Sequence, residues 1–341
     1  MSLSWIVFDD RMGEGGKTIV RTDTSNNRFI KLGRSDIFIS PMGVGTLAWG
    51  NKMWGYGKGD YTDADLRDAF KISLEAGINF FDTAELYGFG RSEKILGGFL
   101  KTEVVSKEKP IIVATKFFPF PFRLNRQCLQ KALRRSLIRL ELNSVDLYQV
   151  HWPLPPIPIE TWMEGLAQAI SLGLTRTAGV SNFNPQQMRR AHTALAQRGI
   201  QMVSNQVKYS LLDRQVERNG LMALCQELGV TLIAYSPLEM GMLTGKYTPS
   251  NRPAGNRRQR YSSTYLEQIQ PLINLMREIG QSYAGKTPAQ VALNWTICKG
   301  TVPIPGAKNK RQAQENIGAL GWQLTKQELI SLEDAATKII K

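Results

Sequence analysis

From residue 41 onward, short continuous apolar runs alternate with stretches in which apolar positions recur at helical spacing. The runs predict strands at Met42–Thr46, Asn79–Thr83, Ile111–Lys116, Val145–His151, Arg176–Ser181, Met202–Val207, Thr231–Ser236 and Val302–Pro305. Amphipathic helices are predicted at Asp63–Glu75, with Leu66, Ala69, Phe70 and Leu74 on one face, at Asn125–Leu140 and at Pro185–Gln197. Further helical patterns cover residues 265–279, 288–299 and Thr325–Ile340. Near-continuous apolar strands joined by helices describe a parallel sheet covered on its faces. Eight such units predict an α/β fold closed into a TIM-type (β/α)8 barrel, not an open doubly wound sheet.

Three additions decorate this plan. Residues 28–40 alternate around a Gly-Arg-Ser-Asp turn and predict a β-hairpin at the barrel bottom, while residues 1–27 read as a peripheral extension. Glu239–Thr264 form a long loop after the seventh strand, rich in Gly, Pro, Asn and Arg, and loops of that length are functional or mobile. No linker divides residues 28–341, which read as one domain.

Composition narrows the classes of function. Among 341 residues no apolar run reaches the length of a membrane span, and Met1–Phe8 lacks the basic lead-in of a secretion signal. Cys128, Cys225 and Cys298 share no metal-ligand spacing; they read as free thiols suited to a reducing, cytoplasmic setting. With only two histidines, a His/Cys zinc site is nearly excluded. The basic residues behind the net charge of +14 are spread along the chain, with local concentrations at Arg123–Arg139 and Arg252–Arg260 and no nucleic-acid-binding module. A phosphorylated small molecule uses that charge better than nucleic acid or a membrane.

Two motifs mislead. Gly280-Gln281-Ser282-Tyr283-Ala284-Gly285-Lys286-Thr287 matches a P-loop letter for letter, but a helical pattern precedes it and Pro288 reads as the start of the next helix. Gly88-Phe89-Gly90 follows a strand, yet lacks the third glycine of a dinucleotide fingerprint.

The strand ends carry the chemistry. Asp82 and Tyr87 follow the second strand, Lys116 closes the third and His151 the fourth, where barrel enzymes gather their active sites. An ammonium beside a phenol favours its ionised form, a carboxylate holds the ammonium, and an imidazole orients a carbonyl oxygen. Such a set suits protonation of a carbonyl oxygen while hydride arrives at carbon. Gly179-Val180-Ser181-Asn182-Phe183 and Asn205-Gln206 offer polar groups for a carboxamide, and Tyr235-Ser236-Pro237-Leu238 offers an aromatic face and a turn. Pro303 to Asn316 place backbone amides and cations where the eighth strand enters its helix, a phosphate site. Trp49, Trp54 and Tyr56 read either as an aromatic substrate wall or as core.

Together, Asp82-Thr83-Ala84-Glu85-Leu86-Tyr87-Gly88, the Lys116 and His151 strand ends, Gly179–Phe183 and Pro305-Gly306-Ala307-Lys308 resemble the aldo-keto reductase family across residues 28–341. The likeness is to the branch that includes potassium-channel β-subunits and pyridoxal-reductase-like members. It implies Tyr87 as general acid, tuned by Asp82 and Lys116, with His151 at the substrate oxygen. It further implies that Ser181, Asn182 and Gln206 hold the nicotinamide carboxamide, Tyr235 stacks on the ring, and Ser236, Pro237 and Leu238 follow the pyrophosphate. Thr46, Leu243, Lys246, Gly306, Lys308, Gln312, Glu315 and Asn316 complete the implied cofactor site. Many members carry arginine where Gln312 stands, so preference for NADPH over NADH rests here on Lys308 and neighbouring cations.

Two functions follow. One is an NADPH-dependent reductase of a small-molecule aldehyde or ketone; the other is a redox-sensing partner protein in which bound NADPH is the signal and turnover is incidental. The basic segment 251–260 reads equally as a clamp over the ligand and as a solvated loop.

Overall fold

The computed structural model describes residues 29–339 except Lys58 and 103–109; the peripheral extension expected at 1–27 lies outside the described residues. The chain opens with β1 (Ile30–Lys31) and β2 (Phe38–Ile39), an antiparallel hairpin. The barrel then runs β3 (Val44–Gly45), α1 (Asp63–Glu75), β4 (Phe80–Asp82), α2 (Arg91–Thr102), β5 (Ile112–Phe117), α3 (Arg126–Leu140), β6 (Val145–Val150) and α4 (Ile159–Ser171). It continues through β7 (Thr175–Ser181), α5 (Pro185–Ala196), β8 (Met202–Lys208), α6 (Gln215–Arg218), α7 (Leu221–Leu228) and β9 (Thr231–Tyr235). Last come α8 (Asn256–Arg260), α9 (Ser263–Ser282), α10 (Pro288–Cys298), β10 (Val302–Pro303), α11 (Lys310–Ile317) and α12 (Lys326–Thr337).

Strands β3 to β10 lie in chain order in one sheet, each parallel to its neighbour. The Gly43 amide donates to Pro303 O (2.9 Å) and the Gly45 amide to Pro305 O (3.1 Å), which closes the barrel between first and last strands. These two seam strands are shorter than the sequence pattern predicts, because Pro303 and Pro305 have no N–H to give the ladder.

Helix ends obey local chemistry. Thr62 with Asp65, Asn184 with Gln187, Thr287 with Gln290 and Thr325 with Glu328 form capping boxes at the starts of α1, α5, α10 and α12. The P-loop lookalike is accordingly the end of α9, a turn and the cap of α10, as its flanking pattern predicts.

Strand alternation sorts side chains into two layers. Phe81, Val113, Phe117, Tyr148 and Val150 face outward into the main core beneath the helices, with Leu66, Phe70, Leu133 and Trp162. Phe80, Ile112, Ala114, Leu147, Ile233 and Val302 fill the barrel interior, and Leu32, Ile37 and Ile39 of the hairpin join them. The hairpin therefore stoppers the barrel bottom. Gly33, at φ +59, passes so close that a Cβ would lie 2.7 Å from Val203 O, and its amide donates to Thr231 Oγ1 (2.7 Å). Among the described residues, no helix is long and apolar enough to cross a membrane.

Candidate active site

The period of two that buries Phe80, Ile112 and Leu147 inside the barrel carries the next inward positions to its top: Asp82 on β4, Lys116 on β5, and Gln149 then His151 on and after β6. Lys116 is fully buried and ion-paired to the Asp82 carboxylate. Its remaining N–H groups donate to Thr83 O (2.9 Å) and the Tyr87 hydroxyl (3.2 Å). All three ammonium donors are thereby used on the end of β4 and the loop after it that bears Tyr87. Asp82 also accepts from Gln206 Nε2 (2.8 Å) and Gln149 Nε2 (3.4 Å), while Thr46 Oγ1 donates to its backbone carbonyl (3.0 Å). The Tyr87 and His151 rings meet edge to face at 5.9 Å.

Burial and charge set the protonation states. Burial pushes the Tyr87 phenol above its ordinary value, with Lys116 pulling it down and Asp82 adding to the rise. Burial, not the ammonium, is thus the dominant influence, and Tyr87 is held as a phenol. Lys116 is held as a cation: burial pushes its value down, but Asp82 and Tyr87 together outweigh it. Burial, then the Lys116 charge, drives His151 down to about 3, so the imidazole is neutral near pH 7. Its Nδ1 is buried and has no hydrogen-bond partner among the described residues.

Above these groups opens a cavity of about 1360 Å³, larger than one drug-sized ligand needs. On its far side, Ser181 Oγ donates to Gln206 O (2.8 Å), and Asn182, at φ +63, donates to His151 O (3.0 Å) while accepting from the Tyr235 hydroxyl (2.9 Å). Ser236, Pro237 and Leu238 line the adjoining wall, followed by a backbone kink at Met240 and Gly241, both at positive φ.

Among the described residues, seven cations line the cavity (Lys52, Arg91, Lys94, Lys246, Arg257, Lys308, Arg311) against two acids, Asp82 and Glu315. Lys308 lies below the ordinary lysine value, first through burial and then through Arg257, with Asp60 opposing and Lys246 adding. Lys308, Arg257 and Lys246, crowded together against their own repulsion, suit a ligand carrying phosphates, and the carboxamide-sized polar set at Ser181, Asn182 and Gln206 lies in the same cavity. The chain's residues therefore fit a nicotinamide dinucleotide.

Several expected site residues sit elsewhere. Trp49 is fully buried, packed on Phe70 and Phe99 with Nε1 donating to Ala307 O (2.9 Å), so it is core and not a substrate wall. Leu243 is likewise in the core, and Thr46 stands behind the wall, bonded to Asp82 and Ser92. Apolar burial captured the first two; Thr46 is drawn back by the carbonyl it must satisfy. Trp54 does line the cavity, but its ring lies 5.8 Å from Lys308 Nζ and 5.9 Å from Arg257, at the cation-lined end. Gln312 accepts from the Lys308 amide (3.0 Å) and Asn316 donates to Gly306 O (3.2 Å), so both shape the loop while lining the cavity. Glu315 bonds the Thr287 hydroxyl. Of the basic segment 251–260, Arg257 alone lines the cavity, whereas Arg252 braces the Arg258 and Tyr261 carbonyls. Asn205 points outward to Phe183 O, leaving Gln206 as the inward amide. Sequence reasoning missed Gln149, although its place two residues before His151 puts it on the same inward face.

No group of three or more His, Cys, Asp or Glu that could hold a metal occurs among the described residues. A closed parallel barrel with this strand-end set and a cation-lined cavity describes a barrel oxidoreductase. The family model described as "Aldo/keto reductase family" matches residues 41–336, and the chain belongs to that family. It is 44% identical over 317 residues to a chloroplastic pyridoxal reductase of Arabidopsis thaliana, covering 90% of this chain and 85% of the relative. An aldo-keto reductase of Schizosaccharomyces pombe named for NADP(+) is 32% identical, covering 79% of each chain. Among solved structures, a thermostable aldo-keto reductase, Tm1743, superposes with a TM-score of 0.72 at 31% identity, covering 90% of this chain and 99% of that one.

Proposed function

We propose that this oxidoreductase reduces aldehyde or ketone carbonyls to alcohols with NADPH, Tyr87 giving the proton. The observation that carries the reading is the half-buried Tyr87 hydroxyl 3.2 Å from Lys116 Nζ, beside a neutral imidazole and beneath a cation-lined cavity. Ser181, Asn182 and Gln206 would hold the carboxamide, Tyr235 the ring, and Lys246, Arg257 and Lys308 the phosphates. NADPH, when bound, supplies hydride to the carbonyl carbon.

The chain's own groups handle the proton. With its proton on Nε2, neutral His151 is a donor that can fix the carbonyl oxygen, and it carries no charge to compete with Lys116. As negative charge grows on that oxygen, the Tyr87 hydroxyl gives up its proton, and the resulting phenolate is met by Lys116 at 3.2 Å. Asp82 keeps the ammonium in place, and Gln149 and Gln206 keep Asp82 in place. This division of labour matches each group's protonation state to its task.

NADPH is preferred over NADH in this reading because the crowded cations reward a further phosphate; the NADP(+)-named relative supports it. Pyridoxal heads the substrate panel because a relative at 44% identity bears that name. The free thiols Cys128, Cys225 and Cys298 support a reducing compartment, with the cytoplasm as our proposal. The test is transfer of deuterium from NADPH labelled at the nicotinamide C4 into the alcohol product, across pyridoxal and simple aldehydes. Product without label would reject direct hydride transfer. Sustained multiple turnover separates this function from redox sensing, which needs none.

A further inference from the structure

The rim between the β3 and β4 ends carries charge that carbonyl reduction alone leaves unexplained. Lys52 stands in the turn after β3, Arg91 and Lys94 in the first turn of α2, and all three line the cavity. These loops are packed on each other: Arg91 Nη1 donates to Gly50 O (3.2 Å), and a Cβ on Gly88 would lie 2.9 Å from the same carbonyl. Arg91 also leans on the Tyr56 ring at 5.8 Å. The side chains of Lys52 and Lys94 enter no ion pair or hydrogen bond among the described residues. Among the described residues of these loops and the β6 end, the only carboxylate in the cavity lining is Asp82, already paired with Lys116.

The rest of this wall is apolar. Leu47, Met53, Phe89 and Trp152 line it, and Phe89 is 95% exposed with its backbone at φ +54. A phenylalanine held at positive φ with its ring in solvent adds nothing to the core, and strain of that kind gathers at functional sites. Apolar surface beside cations that have no carboxylate partner among the described residues suits a ligand with both characters.

We propose that the carbonyl substrate is an aromatic anion, its ring against Phe89 and Trp152 and its carboxylate or phosphate facing Lys52, Arg91 and Lys94. This rests on the carbonyl-reductase reading. The experiment compares kcat/KM for 4-formylbenzoate, 4-formylphenyl phosphate and the neutral 4-formylbenzamide, at saturating NADPH and at low and high salt. It is repeated with Lys52→Glu/Lys94→Glu and, should that variant fold poorly, with Lys94→Glu alone. NADPH affinity is titrated by fluorescence in parallel. The expected result is a preference for one or both anions over the amide of about tenfold or more, shrinking with salt and collapsing in the variant. Which anion leads distinguishes a carboxylate from a phosphate substrate. Equal kcat/KM for acid, phosphate and amide would overturn the proposal, as would a ratio untouched by the variant. A variant whose whole defect is weaker NADPH binding would also overturn it, assigning the rim to the cofactor. Reduction of the amide with no anion preference sinks the charge proposal alone; no reduction of any of the three sinks the carbonyl-reductase reading with it.

Discussion

At the residue scale, the site is governed by which protonation state each buried group can afford. Tyr87 lies above its ordinary value and His151 falls to about 3, so neither should titrate in the middle pH range. Reduction needs the phenol protonated, so the rate is present below the Tyr87 value and is lost as pH rises through it. We therefore expect kcat/KM for a non-titrating aldehyde to be flat between about pH 5.5 and 8.5 and to fall only in strong alkali, since free tyrosine already titrates near 10. A kcat/KM profile that steps near pH 6.5 and loses that step in His151→Gln would place a charged imidazole in the mechanism. Much of this site was legible in the sequence because alternation along a strand fixes which residues face inward. Gln149 was not, since a glutamine among apolar neighbours announces nothing until Asp82 is seen to need its donor. Trp49 and Leu243 were misplaced because sequence order cannot tell a side chain facing the cavity from one facing the core, as Trp49 faces Phe70.

At the scale of elements, one strut ties two loops together. Glu85, in the loop carrying Tyr87, is ion-paired with Arg123 in the loop after β5 and accepts the Phe118 amide (2.7 Å). Arg123 in turn lies over the Phe117 and Phe120 rings, and Phe118 meets the His151 ring at 5.8 Å. Arg123→Ala leaves the Glu85 carboxylate largely buried and unpaired, and should cost about 3 kcal/mol of stability. The double variant with Glu85→Gln should recover part of that loss in a denaturant titration. Full additivity of the two changes would show that the pair does not act as a unit. Helix starts were readable to within a residue or two, because Thr62, Asn184, Thr287 and Thr325 are caps with their partners three positions on. The segment 239–264 was not readable. Its path depends on long-range contacts, such as Arg257 to Met240 O and Tyr261 to Glu239, which leave no periodic trace.

For the whole molecule, the barrel separates stability from chemistry: the hairpin and interior apolar layer hold the bottom, and the charged cavity occupies the top. Leu32→Ala empties a fully buried position in that bottom layer and should cost about 3 kcal/mol, lowering Tm by several degrees while NADPH still binds. An unchanged Tm would mean that the hairpin is not part of the folded core. The central claim concerns the top. It is tested most directly by the single-turnover rate of aldehyde reduction by Tyr87→Phe, premixed with saturating NADPH, against the wild-type chain. A tenfold or smaller loss would contradict Tyr87 as proton donor; the account predicts a loss of about a hundredfold or more, with NADPH affinity retained.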